Sequence, residues 1–202
     1  MFSVVLAIFI LVLAVSGYID WRWRDRFGVA LRGAAAKLNG VTFHPGGLFR
    51  YPRLDVSTAT ITFSLSAMTG GGTPEAPRSP ITFASVHSDL FLSEHIEYRS
   101  KPIRQTKDKT FMARAALRFE DVFAVSRANA RGDLLDLCVK AALLDLYRMC
   151  GAATLKLINK TLTLAVPGMQ TSDSVLRSLI ETYGFIAPSF MEKEINVETH
   201  YV

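Results

Sequence analysis

The first nineteen residues, Met1 to Ile19, carry no charged side chain, and Val4-Val5-Leu6, Ile8-Phe9-Ile10-Leu11-Val12-Leu13 and Val15 make them apolar almost throughout. About 20 such residues are what an α-helix needs to cross a bilayer core. Two readings compete, a transmembrane anchor and a cleaved secretory signal. A signal opens on a basic region and closes on a small-x-small cleavage site. Here no Lys or Arg precedes Arg22, so although Ala14-Val15-Ser16 has the sizes of a cleavage site, the charge lies at the wrong end. The flanks therefore favour an anchor over residues 1–19.

The same asymmetry gives an orientation. Between Asp20 and Gly40 stand Arg22, Arg24, Arg26, Arg32 and Lys37 against Asp20 and Asp25, a net charge of +3. The flank richer in Lys and Arg stays cytoplasmic. The expectation is an N-terminus outside and the bulk of the chain in the cytoplasm, at a bacterial inner membrane. Tyr18, Trp21 and Trp23, interleaved with Arg22, Arg24 and Arg26, stand where aromatic rings and basic side chains mark the membrane interface. Aromatic and basic residues also mark single-stranded nucleic-acid sites. Their place at the end of an apolar run explains them better, and no nucleic-acid partner is expected.

Beyond the anchor remain about 180 residues, enough for one domain with a real core. The chain's formal net charge is +5, but it is unevenly spread. Arg99–Arg118 holds seven cations against Asp108, whereas Glu181–Val202 holds four glutamates against one lysine. On a tethered domain, basic segments fit anionic headgroups, at ~1 kcal/mol per cation near the surface. Lys101, Arg104, Lys107 and Lys109 are the candidate contacts with headgroups or with an acidic partner. Cys138 and Cys150 fall in one expected helix, ~18 Å apart along its axis and beyond disulfide reach. Two reduced thiols, with Cys138 a small core residue, are expected.

Trp23, Phe27, Ala30, Leu31, Ala34 and Leu38 recur at helical spacing, giving a juxtamembrane amphipathic helix over residues 20–40 that stops at Asn39-Gly40. Gly28 and Gly33 fit close packing on a neighbour or the bilayer. A domain over residues 41–202 follows. Leu54 to Ser66 alternates like one half-buried strand, with Ile61, Phe63 and Leu65 inward. Gly70 to Pro80, with three glycines and three prolines, is a hairpin tip, and Ile81 to Val86 resumes the strand. Leu90–Leu92 and Ile96–Tyr98 continue extended. Ala116 to Val125 reads as a strand bulged at Glu120-Asp121. Asp133 is a plausible cap for a helix ending at Gly151. Asn159-Lys160 joins two short strands, and Ser172 or Asp173 opens a last helix stopping at Gly184.

This element order predicts an α+β fold: a single N-terminal transmembrane helix, then a largely antiparallel sheet packed with two to three helices. Through Arg118-Phe119-Glu120-Asp121-Val122-Phe123-Ala124-Val125, followed by a long helix and a short hairpin, the chain resembles uncharacterised bacterial single-pass membrane proteins with a cytoplasmic α+β module. That resemblance covers about half the chain. It implies a location and transfers no catalytic residue.

No chemical motif stands out. His87 and His95 have acidic neighbours but lack the tight spacing of metal ligands, and Gly70–Gly72 lacks the phosphate-loop pattern. No serine lies in Gly-x-Ser-x-Gly and no cysteine has a nucleophile's setting. Catalytic residues, metal and cofactor are all expected to be none. The expected function is a non-catalytic accessory subunit of a larger membrane complex, photosynthetic or respiratory, whose partners are other membrane subunits and anionic lipid. The alternatives are an unrecognised membrane-anchored enzyme and a lipid- or ligand-binding module.

Overall fold

The computed structural model describes residues 2–47, 50–69, 80–101, 117–127 and 135–191. One continuous helix, α1 (Phe2–Ala35), contains both the apolar run and most of the juxtamembrane segment. At 1.5 Å per residue it is about 51 Å long. Strands β1 (Val41–His44), β2 (Arg53–Ser57), β3 (Thr62–Thr69), β4 (Pro80–His87) and β5 (Ile96–Ser100) follow. A single helical turn, α2 (Phe119–Val122), leads into β6 (Phe123–Arg127). Helix α3 (Leu137–Cys150), strands β7 (Thr154–Ile158) and β8 (Thr161–Pro167), and helix α4 (Asp173–Ile186) complete the order, with a closing 3-10 turn at Ala187–Phe190.

The eight strands form one sheet, ordered β1-β2-β3-β4-β8-β7-β5-β6 with every neighbour antiparallel. Side chains alternate across a strand, so one face collects Leu54, Val56, Phe63, Leu65, Ala84, Tyr98, Leu155, Leu162 and Leu164, all buried. Helices α1, α4 and α3 lie over that face. Tyr183 of α4 packs at a tilt against Phe63, 4.5 Å between ring centres, and its hydroxyl donates to the Leu162 carbonyl at 2.8 Å. Burying a side chain of this size stabilises by about 1.5–3 kcal/mol. The layout is α+β, as expected.

The opposite face carries a polar row paired across the strands: Asp55, Ser64, Ser85, Thr163, Lys156 and Glu97. Burial raises the Glu97 carboxyl, but Lys156 at 3.1 Å and Arg99 at 2.7 Å outweigh it and hold it below the ordinary carboxylate range. A depressed carboxylate stabilises the fold above its unfolded pKa and stops doing so as pH falls through the folded one. Acid titration should therefore destabilise the wild type more than Glu97→Gln over that window. Parallel melting curves at falling pH check this.

Several local expectations need correction. Leu54 to Ser66 is not one strand: Thr58 to Ile61 turns, the Thr58 hydroxyl accepting from Ile61 N at 3.1 Å, and β2 and β3 pair as a hairpin. The turn reverses which parity faces inward, so Val56 is buried together with Phe63 and Leu65. The expected bulge at Glu120-Asp121 is α2, which forms because Phe119 and Val122, three apart, both enter the core. The cap of α3 is Asp136, whose carboxylate accepts from Val139 N at 2.8 Å, and Asp133 lies outside the described residues. Helix α4 runs through Gly184 to Ile186. The Gly151 stop and the Asn159-Lys160 turn hold, with φ of 77° at Gly151 and of 49° and 57° at the pair. The hairpin tip at residues 70–79 and the acidic tail from residue 192 lie outside the described residues.

Cys138 was expected in the core but is exposed, on the outer face of α3 with Leu137. Both cysteines are free thiols, and burial pushes Cys150 up to about 11. A thiolate is the reactive form. A maleimide at neutral pH should accordingly label Cys138 first and Cys150 far more slowly, which peptide mass spectrometry over a time course reads directly.

Candidate membrane-proximal cleft

Helix α1 changes character along its length. From Val4 to Ile19 every side chain is exposed, a helix long and apolar enough to cross a membrane. From Phe27 onward the stripe Phe27, Leu31 and Ala34 is buried in the domain core. The amphipathic face thus lies on the domain. Trp23, expected on that face, is largely exposed, and the helix ends at Ala35 with turns through Gly40. Gly28 packs near the Pro52 ring, whereas Gly33 has no such neighbour. At the helix end Gly40 has φ +71°, and a Cβ there would stand 2.6 Å from the Ser57 carbonyl oxygen. Lys37 binds Asp173 at 2.7 Å, fastening this end of α1 to the start of α4.

The connection from β1 to β2 rises beside the helix. Tyr51 donates its hydroxyl to Asp20 at 2.9 Å, Asp20 pairs with Arg24 one turn on, and the Arg24 guanidinium covers the Tyr51 ring at 4.5 Å. Further down, Arg32 covers Phe43 at 5.2 Å. Gly46 makes the bend possible: a Cβ there would meet Arg50 O, Pro52 N and Pro52 Cδ at 2.7 to 2.9 Å.

Between helix and connection lies an open cleft of about 680 Å³, reaching from Gly17 to Arg32 along α1 and lined across it by Phe43, Pro45, Gly47, Arg50 and Pro52. Of the residues expected at the membrane interface, Trp21 and Arg24 line it. Tyr18 sits beside Trp21, 6.0 Å between ring centres, while Arg22, Trp23 and Arg26 are exposed outside the lining. Arg32, Phe43 and Arg50 were not singled out from sequence. The Pro45-Gly46-Gly47 and Pro52 punctuation was the signal that the chain turns back there.

The basic segment leaves from the same end of the sheet. By register, His44, Arg53, Thr69, Pro80, Pro167, Thr154, Ser100 and Phe123 are the strand ends on the side toward which the N-terminal half of α1 runs. Lys101 follows Ser100, its backbone N–H bonded to the Val122 carbonyl at 2.7 Å. It lies far from the cleft laterally, since β1 and β5 are six strand spacings apart, about 29 Å. Arg104, Lys107 and Lys109 lie outside the described residues.

Two other clusters bear on chemistry. Asp55 accepts from Ser64 Oγ at 2.6 Å and pairs with His44 Nε2 at 2.7 Å. A nucleophilic serine needs its hydrogen bond to the histidine, with the carboxylate behind. Here the carboxylate stands between the two and clamps the β1–β2–β3 corner. His87 Nδ1 contacts the Thr161 hydroxyl at 3.1 Å, and no group of three His, Cys, Asp or Glu among the described residues is placed to hold a metal ion. Compared with family models, curated proteins and solved structures, the chain finds no match.

Proposed function

We propose that this chain is a single-pass membrane protein whose α+β domain is held against the cytoplasmic face of a bacterial inner membrane. There it serves as a non-catalytic accessory subunit of a larger complex, photosynthetic or respiratory in kind. The observation that carries the reading is the continuity of α1. The exposed apolar half and the half buried in the core are one helix, without a linker. An anchor built this way is a strut, not a tether, and fixes the height and tilt of the domain. From Ile19 to Phe27 the rise is only about 12 Å. The domain would then begin within the headgroup layer, positioned to brace the inner ends of neighbouring helices.

The orientation rests on the five cations of Arg22–Lys37. Reporter fusions after Gly40 and after Val202 should be active only with a cytoplasmic reporter. Activity of a periplasmic reporter at both sites would overturn the orientation. Purification in mild detergent should yield co-migrating membrane subunits, whereas a clean monomer would overturn the accessory role.

A further inference from the structure

We infer that the cleft beside α1 holds the headgroup of one anionic phospholipid, drawn sideways from the leaflet in which the helix stands. This rests on the proposed anchoring of α1 and names a partner for it. The cleft spans Gly17 to Arg32, a rise of about 22 Å, and its polarity changes along that length. Its upper end, Gly17 and Trp21, borders the apolar run and the aromatic belt, and the Asp20 between them is neutralised by Arg24. Below them stand Arg50, on the β1–β2 connection beside the Tyr51 that reaches Asp20, and, farther down the helix, Arg32 against Phe43. An occupant must therefore be apolar above and anionic below. A phospholipid in the inner leaflet has that order, acyl chains beside Gly17 and the phosphodiester below them at Arg50, with Arg32 extending the positive lining.

The charge balance supports an anionic occupant. Three arginines and two aspartates line the cleft, and Asp20 is already engaged by Arg24 and Tyr51. Arg32 and Arg50 are both exposed to it, against Asp25. Planar guanidinium groups bind phosphate oxygens in pairs, which a lysine does not. Phe43 lies beneath Arg32 and holds its fork in place.

The test uses the full chain reconstituted in liposomes of phosphatidylcholine with or without phosphatidylglycerol brominated in its acyl chains. With Trp23→Phe, Trp21 becomes the sole tryptophan and reports contact with the bromines. Native mass spectrometry after detergent extraction counts retained lipid. One phosphatidylglycerol should be retained, with quenching above that of brominated phosphatidylcholine. Arg32→Gln with Arg50→Gln should weaken retention about fivefold per arginine. Val29→Phe, which fills the cleft from an exposed position, should abolish it. Arg22→Gln with Arg26→Gln removes the same charge outside the cleft and should leave the retained lipid in place. Equal effects of the two arginine pairs, or retention of either lipid alike, would overturn the site while leaving the anchor standing. Failure of the wild type to float with liposomes of either composition would overturn the anchor and the site together.

Discussion

Replacing Phe27 with alanine should cost ~3–5 kcal/mol, the range for a large aromatic lost from a packed interior. Phe27 is fully buried, one turn from Leu31, which is buried as completely, and Ala34 continues the stripe. Among the described residues, the Lys37–Asp173 contact to α4 and the Tyr51–Asp20 contact to the β1–β2 connection are partly exposed polar pairs that add little alone. Leu31→Ala should cost ~2–5 kcal/mol, and the double change less than the sum, since the two residues share one pocket of neighbours. Val29 is 63% exposed on the same helix, so Val29→Ala should stay within about 0.5 kcal/mol. Denaturant unfolding in mild detergent, followed by far-UV circular dichroism, measures all four. Proteolysis of Phe27→Ala should add a cut between Asp25 and Val41 that the wild type resists. If Phe27→Ala unfolds no more readily than Val29→Ala, α1 is a tether and the rigid placement of the domain fails.

That dependence on one stripe also explains what was legible in the sequence. The spacing of Phe27, Leu31 and Ala34 announced an amphipathic helix but not its partner, because bilayer and core select the same apolar face. Only the partner's position decides, and that is long-range information. Alternation across Leu54 to Ser66 was just as regular as expected of one strand, and it misled for a local reason. Thr58 supplies through its hydroxyl the turn that Gly or Pro supplies elsewhere, bonding both the N–H and the carbonyl of Ile61. Gly184 looked like a stop, yet it lies within α4. It stands over the β2–β3 turn, where a Cβ would lie in ordinary contact, 3.5 Å from the Thr58 methyl, and the burial of Tyr183 and Ile186 on either side carries the helix through it. Asp136 and Asp133 carry the same capping chemistry three residues apart, and the register of the buried Val139 and Leu143 selects the former. The cleft was the least legible part. Its walls are separated in sequence, and arginines on a helix read as a solvated face until the β1–β2 connection is seen folded against them.

Neutralising Lys101, Arg104, Lys107 and Lys109 together should weaken binding to anionic vesicles by ~2–4 kcal/mol, at ~1 kcal/mol for each cation near the surface. The chain enters this segment after Ser100 and returns at Phe123, both at the sheet end toward which the apolar half of α1 runs. With α1 anchored as proposed, a rigid helix would present that end to the headgroups. The measurement suits a chain beginning at Asp20, because no side chain from Val4 to Ile19 contributes to the core and the anchor would otherwise dominate binding. The opposite sheet end supplies the control. Lys37, beyond the end of α1, and Lys160, in the β7–β8 turn, lie there, so neutralising both should leave vesicle binding nearly unchanged. Binding should also fall with salt, as screening at ~8 Å near 0.15 M requires. Sedimentation with neutral and phosphatidylglycerol vesicles at several salt concentrations decides the matter. Equal losses from the two sets of lysines and arginines would mean that net charge alone drives binding and that this end of the sheet has no special relation to the bilayer. No loss from either would leave Arg99–Arg118 a solvated loop with respect to the bilayer and shift the expected contact toward an acidic protein partner.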